Sequence, residues 1–441
     1  MDFSIFLLKL SDLVWGMPFL LFFFSVCIFM TIYLDFIQFN YFISSIKMIF
    51  GAKKTDNVAN AQTLTPFQAF MNTLGGNIGN GSLAGVPVAI AFGGPGAIFW
   101  LLAMSTFSVA LRFAEVYLAT EFSSKSTAEK SGPMYYLSLL PAGNILSMLF
   151  AIFCFGFMIT GGNLIQCNAV AVALERAWQI PTYITAIGIF IFIGYVVLGG
   201  SARIVKLLDK LVPVKVYGFL ISAIIVLIYH ITAIPQALYQ IVFFAFKPEA
   251  FLGGALGLTL QTTMALGLQR GINASEAGLG TAAVAFGTTK GQNPVDSGIL
   301  SMLSVYINTH IVCFLVALCV LVSGAYTTGE TSTALLISSY ETVFGGVAGW
   351  IVSILVVMFA ISVVVAYAYN AKICWQYLTN NRFSSLYIAL YISCTAYGAM
   401  MKPGIIWNLN SLVTAGLFLV NIFGLLYFAP RIKAALLNYK Q

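Results

Sequence analysis

The chain has 441 residues, of which 60% are hydrophobic and only 8% are charged. A soluble domain carries roughly a quarter charged residues, so this composition excludes an ordinary water-exposed surface and predicts an integral membrane protein surrounded by lipid. The formal net charge is +7, but no basic patch interleaved with aromatic residues is present, and we predict no nucleic-acid partner. We attribute the positive charge to loops on the cytoplasmic side, where Lys and Arg accumulate.

Apolar stretches long enough to cross a bilayer recur along the whole chain, and each crossing needs roughly 20 residues. We count about eleven, near 15–37, 66–91, 95–121, 144–174, 182–200, 211–231, 251–288, 297–323, 344–375, 384–401 and 405–428. The residues before the first stretch lack the basic start and cleavage site of a signal peptide, so 15–37 is predicted to be retained. Segment 232–250 is predicted to be a loop with a short surface helix.

The distribution of Lys and Arg predicts the orientation of the chain. With the amino terminus outside and the carboxy terminus inside, the outer loops hold only Lys9, Arg176, Lys247 and Lys402. The inner loops and the tail hold Lys47, Lys53, Lys54, Lys125, Lys130, Arg203, Lys206, Lys210, Lys290, Lys372, Arg382, Arg431, Lys433 and Lys440. Shifting the count by one span removes this asymmetry. We therefore predict a multi-pass protein of the cell membrane with an odd number of spans.

Two glycine-rich, polar segments interrupt the apolar spans, at Gly75–Gly85 and at Gly271–Thr281. Backbone amides have no water to bond with in hydrocarbon, so a helix broken there must line a protein cavity. A pair of such breaks at matching places in two halves of a chain indicates the substrate site of a secondary transporter.

The spacing of the breaks predicts a hidden duplication within one polytopic domain, 1–441. When the leading helix, 15–37, is set aside, the breaks lie in the first and the sixth of ten helices. The halves are then 66–231 and 251–428, and an odd number of helices per half places the second half upside down. This is an inverted repeat, a common architecture of carriers with alternating access. It is inferred from spacing alone.

The first break carries Gly79, Asn80, Gly81 and Ser82. Glycine allows the backbone to unwind and a ligand to approach closely. Exposed amino ends of half-helices attract a carboxylate, and freed carbonyls coordinate a small cation. The alternative is close helix packing through small residues, but packing alone does not require Asn77, Asn80 and Ser82 at mid-depth.

Several further polar residues lie inside the spans and have more than one interpretation. Glu276 in the second break is a gate, a cation ligand or an anchor for the broken helix, since charges at this depth need partners or water. Gln166 and Asn168 bond either a substrate carboxylate or another helix. Arg112 and Glu115, three residues apart, are predicted to form a structural ion pair. His310 is either a proton-coupling group or a neutral, hydrogen-bonded side chain.

Four motifs together resemble the alanine or glycine:cation symporters, also called sodium/alanine symporters, over nearly the whole length. They are Gly81-Ser82-Leu83-Ala84-Gly85-Val86, Gly93-Gly94-Pro95-Gly96-Ala97-Ile98-Phe99-Trp100, Gly132-Pro133-Met134-Tyr135-Tyr136, and Arg270-Gly271 followed by Ser275-Glu276-Ala277-Gly278-Leu279-Gly280. The resemblance implies an all-α, leucine-transporter-like fold of two inverted five-helix repeats with one extra amino-terminal helix. It also implies that the chain carries a small zwitterionic amino acid together with sodium and uses no other cofactor.

The resemblance also implies a site. The expected substrate-binding residues are Gly79, Asn80, Gly81, Ser82, Gln166, Asn168, Ser275, Glu276 and Tyr367. Sodium is expected between carbonyls of the first core helix and the eighth core helix, with Asn77, Asn80 and Ser362 as candidate ligands.

The chain departs from the family pattern at several of these positions. Ser82 and Ser275 each stand where the family has asparagine, Asn80 where it has threonine and Asn308 where it has aspartate. Tyr367 replaces a tryptophan, and Val363 replaces a threonine whose hydroxyl a valine cannot supply.

The function predicted first is secondary active import of a small neutral amino acid, similar to alanine or glycine, with sodium. An alternative is the same scaffold coupled to protons or carrying another small solute. A membrane enzyme is a remote alternative, because it needs a convergent set of acids, histidines or metal ligands at one membrane face, and the charged residues here are sparse. A passive channel is also a weaker alternative, because no pore-lining ring of charge repeats along the sequence. Membrane lipid and the substrate are the predicted partners, and a monomer is compatible with this interpretation.

Overall fold

The computed structural model describes residues 3–52, 64–123, 131–247, 259–289, 293–401 and 404–440, and every regular element in these ranges is helical. Some sequence-based assignments lie outside the described residues. They are the start of the second predicted repeat at 251–258, the end of the predicted loop at 248–250, and the loop residues Lys53, Lys54, Lys125, Lys130, Lys290 and Lys402.

Twelve α-helices form the first half of the described chain. They are α1 (Phe3–Val14), α2 (Met17–Tyr33), α3 (Ile37–Asn40), α4 (Phe42–Ala52), α5 (Pro66–Asn77), α6 (Asn80–Gly93), α7 (Gly96–Glu121), α8 (Gly132–Leu137), α9 (Gly143–Ile159), α10 (Ile165–Trp178), α11 (Thr182–Leu198) and α12 (Gly200–Tyr229). A π-helical segment, Thr160–Leu164, joins α9 to α10 without a break.

Ten α-helices follow in the second half of the described chain. They are α13 (Ile234–Phe243), α14 (Leu260–Ser275), α15 (Thr281–Phe286), α16 (Pro294–Val305), α17 (Phe314–Val322), α18 (Ser332–Phe344), α19 (Ala348–Thr379), α20 (Ser384–Met400), α21 (Gly404–Tyr427) and α22 (Ala429–Lys440). A second π-helical segment, Tyr306–Cys313, joins α16 to α17. Short 3-10 helices, Ile231–Ala233, Ala325–Thr327 and Gly345–Val347, precede α13, α18 and α19.

Seven helical segments among the described residues are long and apolar enough to cross a membrane. They are Phe6–Tyr33, Gly96–Glu121, Gly143–Trp178, Gly200–Tyr229, Pro294–Val322, Ser332–Thr379 and Gly404–Tyr427. The predicted count of eleven also includes α11 and α20, which have 17 residues each, and two helices that are each divided into two pieces. Length alone therefore supports a smaller number of spans than the sequence analysis predicted.

The outer surface of the bundle is apolar. Ile187 and Ile191 on α11, and Ile221 and Ile228 on α12, are all more than half exposed. Contiguous exposed apolar surface is rare on soluble monomers and marks contact with a partner or with lipid. Because these side chains project from long apolar helices, the surface suits a bilayer.

The structure contains helices that hydropathy did not indicate. The predicted loop 232–250 does contain a short helix, α13, as expected. Helix α18 has no counterpart in the predicted spans and lies before α19, and α1, α4, α8 and α22 were also not assigned. These helices are short, between 6 and 13 residues, and a hydropathy window of membrane-spanning length averages them with their flanks.

The centre of the bundle is formed by α5 and α6, which pack against helices from both halves of the chain. Helix α5 contacts α12, α15, α16 and α19, and α6 contacts α14, α17 and α18. Helix α5 begins where it does because Thr65 and Gln68 form a reciprocal capping box, with Pro66 at the first helical position. This start fixes where the chain enters the core.

Helices α7 and α14 approach each other closely through two glycines on α14. A Cβ atom added to Gly267 would lie 2.4 Å from the carbonyl oxygen of Ala97, and one added to Gly271 would lie 2.7 Å from Cβ of Met104. Small residues four positions apart permit this approach of two membrane helices. The contact holds α14, and therefore the second break, against α7.

We expect Gly267→Ala to lower the midpoint of thermal unfolding in detergent, because the added methyl group meets backbone atoms of α7 that cannot move aside. Gly188→Ala on α11 is the matched control, since nothing lies within 4 Å of its added Cβ. Equal unfolding midpoints for the two variants would contradict this account of the packing.

Candidate functional site

The first break lies between α5 and α6, at Ile78 and Gly79. The amide of Gly79 donates to Asn77 O (3.1 Å), and the amide of Ser82 donates to Gly79 O (3.0 Å). The carbonyls of Gly75 and Ile78 therefore lack the amide that a continuous helix supplies four residues later. The sequence analysis located this break correctly but made it too wide, because α6 is helical from Asn80 onward. Glycine permits unwinding and does not force it.

The second break runs from Glu276 to Gly280, between α14 and α15. Glu276, Gly278 and Gly280 all have positive φ angles, of 49°, 86° and 79°. Glycine adopts this region readily, whereas Glu276 adopts it as a non-glycine residue that its surroundings must hold. The predicted break, Gly271–Thr281, is again in the right place but too wide, and Ser275 is still helical.

A buried carboxylate holds the second break in place. Glu115 Oε2 accepts the amides of Gly278 and Gly280, each at 2.9 Å, and Oε1 accepts from Arg112 at 2.8 Å. Arg112 also donates to Ser275 O at 2.7 Å. Both charged side chains are fully buried. The predicted ion pair is confirmed, and it stabilises the freed amides at the amino end of α15.

Asn308, in the second π-helical segment, ties the two breaks together. Its side-chain amide donates to Asn77 O (2.9 Å) and to Ala274 O (2.6 Å), and its oxygen accepts from the Ser82 hydroxyl at 2.8 Å. One buried side chain thus links the end of α5, the start of α6 and the end of α14.

A cavity of about 560 Å³ lies where the breaks meet. Among the predicted site residues, its walls include Asn77, Gly79, Asn80, Gly81, Gln166, Asn168, Glu276 and Tyr367. Ser82, Ser275 and Ser362 are not among the residues that line it, and all three are buried. The cavity also reaches Arg176, Glu330 and Trp407, which lie towards the end of the bundle where α10 ends and α21 begins.

Two amide side chains on the cavity wall differ in what they bond. Gln166 Oε1 accepts the backbone amide of Asn80 at 3.3 Å, and its Nε2 donates to Gly161 O at 3.1 Å in the first π-helical segment. The Asn80 side chain is 5% exposed, and neither its Oδ1 nor its Nδ2 has a hydrogen-bond partner in the described part of the chain. Because buried amides are normally paired, Asn80 has capacity to bind a polar ligand.

Asn168 lines the same cavity, but its Nδ2 donates to Met401 O at 2.8 Å. Its amide therefore joins α10 to the end of α20, which matches the helix-bonding alternative of the sequence analysis.

Glu276 and Tyr367 form a second polar group on the wall. The Tyr367 hydroxyl lies 2.5 Å from both carboxylate oxygens of Glu276, and Thr281 donates to Glu276 Oε2 at 2.9 Å. The Tyr367 ring fills space over two glycines, because a Cβ on Gly76 or Gly162 would lie within 2.4 Å of it. Glu276 is thus anchored and still faces the cavity.

Arg270 also lines the cavity and forms no ion pair with Glu276 among the residues that the structure describes. Its Nε is buried without a partner there. The sequence analysis named Arg270 only as part of a family motif and did not include it among the site residues.

Lys215 on α12 was missed by the sequence analysis. Its fully buried ammonium donates to Ile78 O at 2.6 Å, to Gly75 O at 3.3 Å and to the Ser362 hydroxyl. These are carbonyls of the first core helix and the hydroxyl of α19 that were expected to hold sodium. A lysine inside the apolar span 211–231 was the available signal, since intramembrane charges are rare and functional.

His310 lies away from the cavity lining, and its Nε2 is 2.8 Å from the Thr106 hydroxyl. This hydrogen bond agrees with the second interpretation of this residue, a side chain held by its neighbours.

The helical architecture has a counterpart among proteins of known structure. It is similar to the crystal structure of a manganese transporter mutant from Eremococcus coleocola, with a TM-score of 0.50 and 14% identity, over 84% of this chain and 80% of that one. This similarity concerns the fold alone.

Residues 2–441 match the model of the Sodium:alanine symporter family, and the chain belongs to that family. The resemblance found in the sequence is thus confirmed, and the chain is a multi-pass membrane transporter and not an enzyme. It is 30% identical to the sodium/alanine symporter AgcS of Methanococcus maripaludis, over 97% of this chain and 95% of the relative. It is 29% identical to the amino-acid carrier protein AlsT of Bacillus subtilis, over 93% and 87%.

We expect Glu115→Ala to destabilise the protein by about 3 kcal/mol or more, because it leaves Arg112 as an unpaired buried charge. Glu121→Gln is the control: it removes a carboxylate whose partner, Arg431, is half exposed, and such pairs contribute about 0–1 kcal/mol. Thermal unfolding in detergent measures both. If the Glu115 variant unfolds at the same temperature as the Glu121 variant, the buried pair does not hold the second break.

Proposed function

We propose that this protein is a secondary active carrier that imports a small neutral amino acid, similar to alanine or glycine, by alternating access. The observation that carries the proposal is the cavity at the junction of two broken helices, lined by the unpartnered Asn80 side chain. Irregular backbone at membrane depth is tolerated where it lines a cavity. Membership in the family and the similarity to an alanine symporter and an amino-acid carrier support the choice of cargo.

The cavity walls offer complementary groups for the two ends of a zwitterion. The amino end of α6 begins at Asn80, and its partial positive charge favours a carboxylate there. Gln166 and Asn80 provide amides beside it, and Arg270 adds a positive charge. Glu276, on the other broken helix, provides a negative charge for the substrate amine. Gly79, Gly81 and Tyr367 then set the room left for the side chain, while Ser82 and Ser275 support the breaks from behind.

We propose the same repeat organisation as the sequence analysis. Helices α5 and α6 together, followed by α7, α9–α10, α11 and α12, form the first unit. Helices α14 and α15 together, followed by α16–α17, α19, α20 and α21, form the second. With α2 as the additional helix, this gives eleven crossings. The order of broken helices at the start of each unit supports the assignment.

The captured state follows from the orientation proposed for the chain, with its amino terminus outside the cell membrane. The cavity reaches Arg176, Glu330 and Trp407, which then lie on the outer side. The structure would accordingly represent an outward-facing carrier. Transport requires the cargo to bind this state and its inward-facing counterpart with affinities that shift their populations.

Two coupling ions are candidates. Sodium is supported by the family and by its alanine-transporting relative. Coupling to protons, or transport of another solute, is favoured by two observations at the expected sodium position: Val363 supplies no side-chain oxygen, and the Lys215 ammonium bonds Ser362. Uptake into liposomes with an imposed sodium gradient or an imposed proton gradient distinguishes the two coupling ions. Acceleration by a sodium gradient supports the first, whereas uptake that ignores sodium and follows a proton gradient supports the second.

We expect Gly81→Leu to abolish saturable uptake of alanine or glycine while the protein stays folded. Nothing lies within 4 Å of a Cβ added to Gly81, so the leucine side chain enters the cavity without displacing its walls. Gly188→Leu, on the open face of α11, is the matched control and is expected to transport normally. Uptake by purified variants in liposomes measures this, and normal transport by the Gly81 variant would remove the proposed site.

We also expect Gln166→Ala to abolish saturable uptake, because it removes the side chain that contacts both the amide of Asn80 and the first π-helical segment. Alanine binding is measured by the rise that alanine causes in the midpoint of thermal unfolding. This measurement distinguishes a variant that no longer binds alanine from one that binds it but no longer transports it. A variant with unchanged stabilisation and unchanged uptake would exclude Gln166 from the site.

A further inference from the structure

Three oxygen atoms lie close together at the first break, between α5, α12 and α19: Gly75 O, Ile78 O and Ser362 Oγ. The carbonyls of Gly75 and Ile78 have lost their helical amides, and the hydroxyl of Ser362 lies against Gly75 O at 3.2 Å. Carbonyl and hydroxyl oxygens freed at a broken membrane helix are the ligands with which carriers coordinate a small cation. The freed carbonyls therefore need a hydrogen-bond donor or a cation at this place.

Lys215 supplies that charge from within the chain. An ammonium group has three hydrogen-bond donors, and the three acceptors it meets are Gly75 O, Ile78 O and Ser362 Oγ. The side chain is fully buried, and its Nζ lies 5.2 Å from the centre of the Phe359 ring, whose face also favours a cation. The three oxygen atoms, Gly75 O, Ile78 O and Ser362 Oγ, therefore all accept a hydrogen bond from Lys215.

The described residues around Lys215 do not provide the negative charge that a second cation beside it would need. Among the described residues no carboxylate lies within ion-pair distance of the Lys215 ammonium, and the ion pairs found there are Arg112 with Glu115 and Arg431 with Glu121. The neighbouring side chain on α19, Val363, provides no oxygen. A sodium ion at the same oxygens would meet a fixed like charge without a compensating anion.

We propose that the Lys215 ammonium permanently replaces sodium at the carbonyls of Gly75 and Ile78 and the hydroxyl of Ser362, so that this carrier binds its cargo without sodium at that position. Lys215 is then the residue that determines ion specificity, and removing it uncovers a sodium site. The role in amino-acid uptake rests on the proposed function, whereas the binding of the ion by the purified protein does not.

The test measures saturable binding of radioactive sodium to the purified full-length chain. The unmodified protein and Lys206→Ala, which removes an exposed lysine from the same helix, are expected to bind no sodium that depends on Ser362. Lys215→Ala is expected to bind sodium saturably, about tenfold or more tightly than any residual binding by the unmodified protein, a difference of about 1.4 kcal/mol or more. The double variant Lys215→Ala, Ser362→Ala is expected to lose that binding.

Two results would overturn the proposal. The first is sodium binding by the unmodified protein that Ser362→Ala abolishes, a result that does not depend on the folding of any lysine variant. The second is a folded Lys215→Ala protein that binds no sodium. Uptake of alanine in sodium and in choline buffers is measured in parallel. Equal uptake in the two buffers supports the proposal. Absence of uptake in both buffers contradicts the proposed function. In that case the sodium-binding result still decides the role of Lys215.

Discussion

A helix interrupted inside a bilayer exposes amides on one side of the break and carbonyls on the other, and no water is present to bond them. This protein meets that constraint with buried charges of opposite sign. The freed amides of Gly278 and Gly280 bond the carboxylate of Glu115, and the freed carbonyls of Gly75 and Ile78 bond the ammonium of Lys215. Each charge is stabilised by the backbone dipoles it faces, which explains how both remain within the apolar core.

This arrangement divides the polar residues of the core into two groups. Arg112, Glu115, Asn308 and Lys215 bond the backbone at the breaks, and Asn308 and Lys215 also bond the hydroxyls of Ser82 and Ser362. Asn80 and Glu276 lie on the same breaks but face the cavity. Side chains that support a site from behind hold the cavity-facing groups in a defined geometry, which favours recognition of a ligand by shape and charge.

The comparison with relatives shows what a shared family does and does not imply. The chain belongs to the Sodium:alanine symporter family and is about 30% identical to a relative over almost its full length. The contacts between α5, α12 and α19, however, depend on a few atoms, and the single lysine Lys215 provides a buried basic group there. Fold and cargo class are therefore inferred from the whole chain, whereas ion specificity has to be examined at individual side chains.

The sequence by itself determined the membrane setting, the family and the approximate places of both breaks, because hydropathy, glycine content and local motifs are properties of consecutive residues. It also determined the Arg112–Glu115 pair, since residues three apart share a helix face. Only the tertiary structure decided that Ser82 and Ser275 lie behind the cavity wall, that Arg270 lines it, and that Lys215 reaches Ser362, 147 residues away. Those outcomes depend on how helices distant in the sequence pack and rotate against one another, which no local pattern encodes.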